Sequence, residues 1–318
     1  MRIVVDAMGS DSHPRPDVEG AVMAAREYGE EIALVGDEAV VRPVLGLKAK
    51  RKNAQNSMAI GLDLVKSGQA EAFVTMGNTG AASVTAYFRL GTLPGVERPA
   101  LAPVFPTKTG ACVVLDVGAN PDCKPEHLFQ FALMGSLYAQ RVRGVASPRV
   151  GLLSNGEEAG KGNDLVKHTY PLLAGAGLNF IGNVEGKEVF GGQADVVVTD
   201  GFTGNVLLKS SEAVAKLLVD LIREKIMAGS TLVKLGGALV RPALRELRQL
   251  LDPSQEGAAP LLGINGLVFI GHGRSDALAV KNAVRVAKQA AEAGVLAAIQ
   301  SEIARRLAQA APAAQGAL

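Results

Sequence analysis

The sequence predicts an α/β fold in which a mostly parallel sheet carries helices on both faces. Three observations support that reading. Short β-branched or aliphatic runs alternate with helical patterns along the chain. Those runs are apolar at successive positions instead of every second one, as in strands buried on both sides. Gly-rich polar loops join each strand to the helix that follows, as in βα connections.

RIVVD at 2–6 is the first strand, followed by EIALVG at 31–36, AFVTM at 72–76 and CVVLDV at 112–117. RVGLLS at 149–154, NFIGN at 179–183, DVVVTD at 195–200 and LVFIG at 267–271 complete the set. Such runs suit buried strands and are too short for helices. Between them, EHLFQFALMGSLYAQRV at 126–142 places Leu128, Phe131, Ala132 and Gly135 at helical spacing. A second helix starts near Gly204 and runs to about Met227, and a last one runs from near Asp276 to about Ala308. Residues 1–311 read as a single domain without repeat or long linker, and residues 312–318 as a frayed tail.

Composition narrows the function classes. The 318 residues are 48% hydrophobic, with 37 glycines, no Trp and only 4% aromatics, which suits tightly packed helices and parallel strands. A net charge of +2 creates no global field for nucleic acid, and the scarcity of aromatics removes the stacking platforms that single strands need. Cys112 and Cys123 form no CxxC pair and are expected as reduced thiols. MRIVVDAMG lacks the apolar core of a signal peptide, and no segment offers about 18 uninterrupted apolar residues. A soluble cytoplasmic protein is expected.

The informative regularity is a series of loops: DAMGSD (6–11), TMGNTG (75–80), DVGANPD (116–122), SNGEEAGKGND (154–164), TDGFTGN (199–205) and GHGRSD (271–276). Each follows a strand and precedes a helix start. In a parallel sheet those strand ends share one edge, where ligand crevices form. Glycine lets backbone come close to a ligand, and helix N-termini carry unpaired N–H groups with partial positive charge. The combination favours an anion, phosphate above all.

Nucleotide signatures are missing. GEEAGKG (156–162) is one residue short of a Walker A loop and has Gly162 where the magnesium-binding Ser or Thr belongs. No strand is followed by GxGxxG, and there is no GxSxG elbow. His13, His127, His168 and His272 are scattered without metal-ligand spacing, so neither a metal nor a cofactor is expected.

As a set, DAMGSD, MGNTGA, ERPALAP, LDVGANPDCKPEHL, FALMGSLYAQ, SPRVGLLSNGEEAGKGND and TDGFTGNVLLK closely resemble the bacterial phosphate acyltransferases of phospholipid synthesis, over nearly the whole chain. The resemblance implies a three-layer fold related to phosphotransacetylases and isopropylmalate-type dehydrogenases, and a homodimer. It implies transfer of a fatty acyl group from acyl carrier protein to inorganic phosphate, with the acyl phosphate passing to a glycerol-phosphate acyltransferase. It also implies peripheral association with the inner face of the cell membrane. Ser10 stands where the family has Gly, and Ser12-His13 shifts the imidazole by one place. The stretch between LVGDEAVVRPVLG and KAKRKNAQNSM is short for the family, and Lys50, Arg51, Lys52, Asn56 and Ser57 match its basic and serine run only loosely.

Phosphate is already a nucleophile and a thiolate leaves readily, so the reaction needs positioning and an oxyanion site more than a triad. Lys161 is the expected phosphate cation and Asn205 the amide donor, assisted by helix-start N–H groups at Thr203 and Gly204. Asp200 would orient one of these, and His272 would protonate the departing thiol. Asp6, Gly9, Asn78, Thr79, Gly80, Asn120 and Gly201 are expected to line the crevice. Plainer roles are open for each: a solvated loop lysine for Lys161, helix capping for Asn205, and turn formation for Asp200 and His272. An acyl-CoA phosphotransacetylase and a non-enzymatic, membrane-associated phosphate or acyl-phosphate binder would carry the same loops.

Residues 230–256 differ in kind, and are expected to protrude as an amphipathic helical segment. Six basic residues and two acidic ones lie between Arg223 and Leu251. Leu235 and Leu239 sit beside Arg241 and Arg245, a pattern suited to anionic lipid or an acidic carrier protein. Gly236-Gly237 and Pro242 are expected to split the segment into two short helices.

Overall fold

All eight apolar runs form strands in the computed structural model, which describes residues 1–47 and 56–315. They are shared between two sheets. The first contains β1 (Arg2–Asp6), β2 (Glu31–Val35), β3 (Ala72–Thr75), β4 (Ala100–Leu101), β10 (Ala258–Leu262) and β11 (Leu267–Gly271), in the order β2-β1-β3-β11-β10-β4. The second contains β5 (Val104–Thr107), β6 (Gly110–Leu115), β7 (Arg149–Leu153), β8 (Asn179–Val184) and β9 (Val196–Val198), in the order β5-β6-β9-β7-β8. Pairing is parallel except at β4, β5 and β10. Those antiparallel strands lie where the sheets abut: Val117 N–H donates to the Leu101 carbonyl (3.1 Å) and Val114 N–H to that of Pro103 (3.0 Å).

The apolar runs explain the layers. On β1, Ile3 and Val5 face one core while Val4 faces another. On β6, Val113 and Leu115 face the first core and Val114 a third. The first core runs beneath both sheets. It is covered by α1 (Arg15–Tyr28), α5 (Pro125–Arg141), α10 (Ala277–Glu292) and α11 (Val295–Gln315). On the opposite face lie α3 (Ser57–Lys66) and α4 (Thr79–Leu90), and beyond them α7 (Gly186–Gly191) and the start of α8 (Gly201–Ala228). The remaining helices are α2 (Glu38–Val44), α6 (Asp164–Ala174) and α9 (Thr231–Leu250).

Three details correct the sequence reading. The last helical pattern is two helices, because Gly294 takes φ +63 between α10 and α11. Helix continues to Gln315, where a frayed tail from 312 was expected, and residues 316–318, like 48–55, lie outside the described residues. Residues 231–250 form one helix, not two. Gly237 sits where a Cβ would be 2.4 Å from Ile226 Cγ2, so it admits close packing against α8 and does not break α9. Lys50, Arg51 and Lys52 lie outside the described residues.

Candidate active site

Each of the six loops does connect a strand to a helix: 6–11 leads to α1, 75–80 to α4, 116–122 to α5, 154–164 to α6, 199–205 into α8 and 271–276 to α10. They gather in two groups. In the first sheet, Asp11 N–H donates to the Gly273 carbonyl at 2.7 Å, and a Cβ on Gly9 would lie 2.7 Å from Met76 N. In the second, Gly201 N–H donates to the Asn120 carbonyl at 2.8 Å, and a Cβ on Gly204 would lie 2.0 Å from the Asp116 carbonyl oxygen. The 154–164 loop leaves β7, which neighbours β9, and packs on β8 through Asn183 Nδ2 donating to the Glu158 carbonyl (2.8 Å).

Helix α8 joins the groups. It starts in the second sheet's loops, and about three turns later Glu212 reaches His272 Nε2 (3.4 Å) and Arg274 Nη2 (3.2 Å) in a first-sheet loop. Asn205 and Glu212 are seven residues apart, nearly two whole turns, so they share a face of α8 about 10 Å apart along its axis. Lys209 lies between them and is 3.5 Å from Glu212. Glu212, Lys209 and Arg274 were missed in the sequence. The available signal was the spacing of 205, 209 and 212 along one helix face.

The geometry sorts the expected residues into exposed groups and internal ones. Asn205 is exposed beside Gly118, where a Cβ would lie 3.7 Å from its amide carbon. It is not the helix cap. Asp200 caps α8, accepting from Thr203 N–H and from the Thr203 hydroxyl, both at 2.8 Å. Asp200 is thereby engaged by Thr203, with no hydrogen bond to Lys161 or Asn205 among the described residues. The Thr203 N–H is spent on this cap and the Gly204 N–H on the Asp200 carbonyl (2.9 Å), which corrects the expectation that these two amides are free for an anion. Lys161 is exposed at the rim of its loop, and its ammonium makes no ion pair among the described residues. Lys187, by contrast, is held by Glu157 (2.8 Å), Glu185 (3.1 Å) and Glu188 (3.5 Å), so this carboxylate cluster surrounds an ammonium.

Other expected crevice residues turn inward. Asp6 is buried and accepts from Met8 N–H (3.0 Å) and the Thr75 hydroxyl (2.9 Å). Buried Asn120 donates to the Pro99 carbonyl (2.6 Å) and to Asp116 Oδ2 (2.9 Å). Asp116 is fully buried and also accepts from the Leu101, Ala119 and Asn120 N–H groups, fastening the second-sheet loop. Burial pushes its carboxyl upward against the pull of those donors. Asn78 is exposed and caps α4 through Ala81 N–H (3.0 Å), leaving its amide nitrogen uncommitted beside Thr79 and Gly80. Ser10 is explained by buried Asp17, whose Oδ2 accepts its hydroxyl at 2.5 Å. His13 Nδ1 lies 2.8 Å from the Ser10 carbonyl.

Two titration directions bear on the chemistry. Burial pushes the thiols of Cys112 and Cys123 up to about 12, so neither is a thiolate nucleophile near neutrality. His272 is lowered by burial; Glu212 opposes that shift, while Lys209 and Arg274 add to it. The imidazole is therefore biased toward its neutral form, ready to accept a proton.

The model of a family described as "Fatty acid synthesis protein" matches residues 46–298. A "Phosphate acyltransferase" from Pelotomaculum thermopropionicum is 45% identical over 326 residues, covering 95% of both chains. The chain belongs to the phosphate acyltransferase family. A second member, from Thermus thermophilus, is 48% identical and covers 95% of this chain and 98% of its own. Among solved structures, the EutD phosphotransacetylase from Staphylococcus aureus superposes with a TM-score of 0.58 at 17% identity, covering 92% of this chain and 94% of its own. That likeness establishes the fold, and the family establishes an acyltransferase enzyme of fatty acid and phospholipid synthesis.

Proposed function

We propose that the enzyme transfers a fatty acyl group from the thioester of acyl carrier protein to inorganic phosphate. The observation that carries this reading is the joining of the two loop groups by α8. Asn205 stands at one end of its polar stripe, and His272, across from Glu212, at the other. Lys161 supplies the charge that holds phosphate, and the Asn205 amide donates to phosphate or to the oxyanion of the tetrahedral intermediate. Asn78 and Thr79 line the crevice from the first sheet. Holding phosphate against the thioester carbonyl replaces a bimolecular encounter, worth about 7–11 kcal/mol of barrier. No covalent enzyme intermediate is required.

Three further assignments belong to the same reading. Beyond Glu212, α8 leaves the body of the protein with Val214, Leu217, Leu218 and Leu221 all more than 40% exposed. A second copy of the chain covering this stripe would form the homodimer. On α9, Leu235 and Leu239 are 62% and 77% exposed beside Arg241 and Arg245, which suits peripheral contact with anionic lipid at the inner face of the cell membrane. No helix among the described residues is long and apolar enough to cross a membrane. The product, an acyl phosphate, is an activated mixed anhydride for a glycerol-phosphate acyltransferase to consume.

The deciding experiment incubates the pure enzyme with acyl carrier protein thioester and orthophosphate and traps acyl phosphate with hydroxylamine, with acyl-CoA run in parallel. Hydroxamate from the carrier-protein donor in excess of that from CoA is expected. Product from CoA alone would move the assignment to a phosphotransacetylase, and none from either donor would leave only binding.

A further inference from the structure

Buried carboxylate oxygens are almost always hydrogen-bonded, because an unpaired one has given up its water without a replacement. Glu212 Oε1 breaks that rule: it is buried and has no hydrogen-bond partner. The basic group that faces it is the His272 imidazole, with Nε2 at 3.4 Å, while Oε2 is already engaged by Arg274 at 3.2 Å and Lys209 at 3.5 Å. The His272 side chain is 36% exposed, so the ring has one side on Glu212 and another open to solvent. Nδ1 makes no hydrogen bond among the described residues.

We propose that Glu212 is a positioning residue for His272. It holds the imidazole with Nε2–H toward its own Oε1, so that the Nδ1 lone pair is presented to phosphate. This inference rests on the acyl transfer proposed above and specifies how the proton moves in it. An oxygen of HPO₄²⁻ attacks the thioester carbonyl carbon and forms the new C–O bond, while its proton passes to His272 Nδ1. As the tetrahedral intermediate collapses, the C–S bond breaks and its electron pair leaves with sulfur. The thiolate then takes the proton back from Nδ1. The products are acyl phosphate and thiol, and His272 ends as it began. The imidazolium exists only between these two transfers, and Glu212 Oε1 then finds the full charge that its burial lacks at rest.

The placement on α8 makes this more than a local salt bridge. Glu212 rises from the same helix as Asn205, so the group that orients the proton carrier and the amide donor are fixed to one rigid element. The other charges around His272 are Lys209 from α8, Arg274 from its own loop, and Asp11, whose carboxylate lies against Gly273. Lys209 and Arg274 oppose an imidazolium, and Glu212 is the carboxylate that faces it. Its removal therefore has a definite sign.

The test compares wild type, Glu212→Gln, Arg274→Gln and His272→Ala in the full-length enzyme. NMR titration of the His272 ring without substrate should show its pKa fall in Glu212→Gln and rise in Arg274→Gln. The acid limb of the kcat/KM profile should move to lower pH in Glu212→Gln. kcat should fall at least about tenfold, a part of the roughly 10²–10⁴ that a positioned acid–base group supplies. KM for phosphate should stay within about twofold. An unmoved His272 titration in Glu212→Gln would overturn the inference even if activity fell, because a merely structural role would produce that result. Wild-type turnover in His272→Ala or in Glu212→Gln would overturn it too. Failure of the wild type to form acyl phosphate would instead strike the proposed reaction, and the titration would still decide whether Glu212 governs His272.

Discussion

Replacing glycine by alanine in the middle of a helix ordinarily stabilises it by about 0.5–1 kcal/mol, since glycine loses more backbone freedom on folding. Gly204 in α8 and Gly236 in α9 should respond in opposite directions. At Gly236 a Cβ would meet nothing within 4 Å, so Gly236→Ala should slow amide exchange through α9 by the several-fold that this gain implies. At Gly204 a Cβ would sit 2.0 Å from the Asp116 carbonyl oxygen and 3.1 Å from Thr199 Cγ2. Real Cβ contacts essentially never fall below 3.0 Å, so helix and loop must part by about 1 Å, and no rotamer change can relieve a clash with backbone. Overpacking of this kind costs about 1–3 kcal/mol. Set against the helical gain, a net loss of up to about 2.5 kcal/mol is expected, read as a lower urea midpoint at unchanged slope. Asn205 is the next residue, and a misplacement of about 1 Å can cost about 10²-fold in turnover, measured as trapped acyl phosphate. A Gly204→Ala enzyme with wild-type midpoint and wild-type turnover would refute the view that this contact seats the helix and its amide.

Lys161→Ala and Asn205→Ala should each reduce acyl phosphate formation. Loss of one oxyanion donor is worth about 2.7–4 kcal/mol, or about 10²–10³ in kcat, and the lysine change should appear chiefly in KM for phosphate. Asp200→Ala removes the α8 cap and should lower stability by about 0.5–2 kcal/mol in urea unfolding. Glu302, hydrogen-bonded to Arg305 and Arg306, is held down at about 2 against an ordinary value of 4.5. Its contribution is therefore present above pH 4.5 and disappears as pH falls from there through about 2; Glu302→Gln should lose that part of the acid dependence of the urea midpoint. Charge reversal at Arg241 and Arg245 should abolish sedimentation with anionic liposomes while leaving turnover with soluble substrates intact.

Much of the architecture was legible because burial on both faces writes itself into sequence. Ile3, Val4 and Val5 are all buried, in two different cores, so β1 had to be apolar without alternation. What stayed hidden were elements whose signal is short or shared. β4 is only Ala100–Leu101, and β10 carries Pro260 and pairs antiparallel at the junction of the sheets. The division into two sheets follows from that junction, and no local pattern announces it. The continuity of α9 was missed for a related reason. Glycine and proline were read as breakers, whereas Gly237 is there to let α8 come close.

The site shows the same difficulty more sharply. Six glycine-rich loops do lie at strand ends ahead of helices, yet several of their glycines serve loop-to-loop contact. Gly9 abuts Met76, Gly201 abuts Asn120 and Asp116, Gly204 abuts Asp116, and Gly273 abuts Asp11. A composition signal cannot distinguish these uses, since close approach demands the same residue whether the neighbour is phosphate or backbone. The polar groups divide likewise: Asp6, Asn120 and Asp200 are consumed in holding loops, which leaves Lys161, Asn205, Asn78 and His272 facing outward. Glu212 carries no motif at all. Its place becomes visible only when about three turns of α8 bring it from the second sheet's loops to the first sheet's His272, so its role depends on a tertiary junction that one-dimensional spacing can suggest only after Asn205 has been chosen.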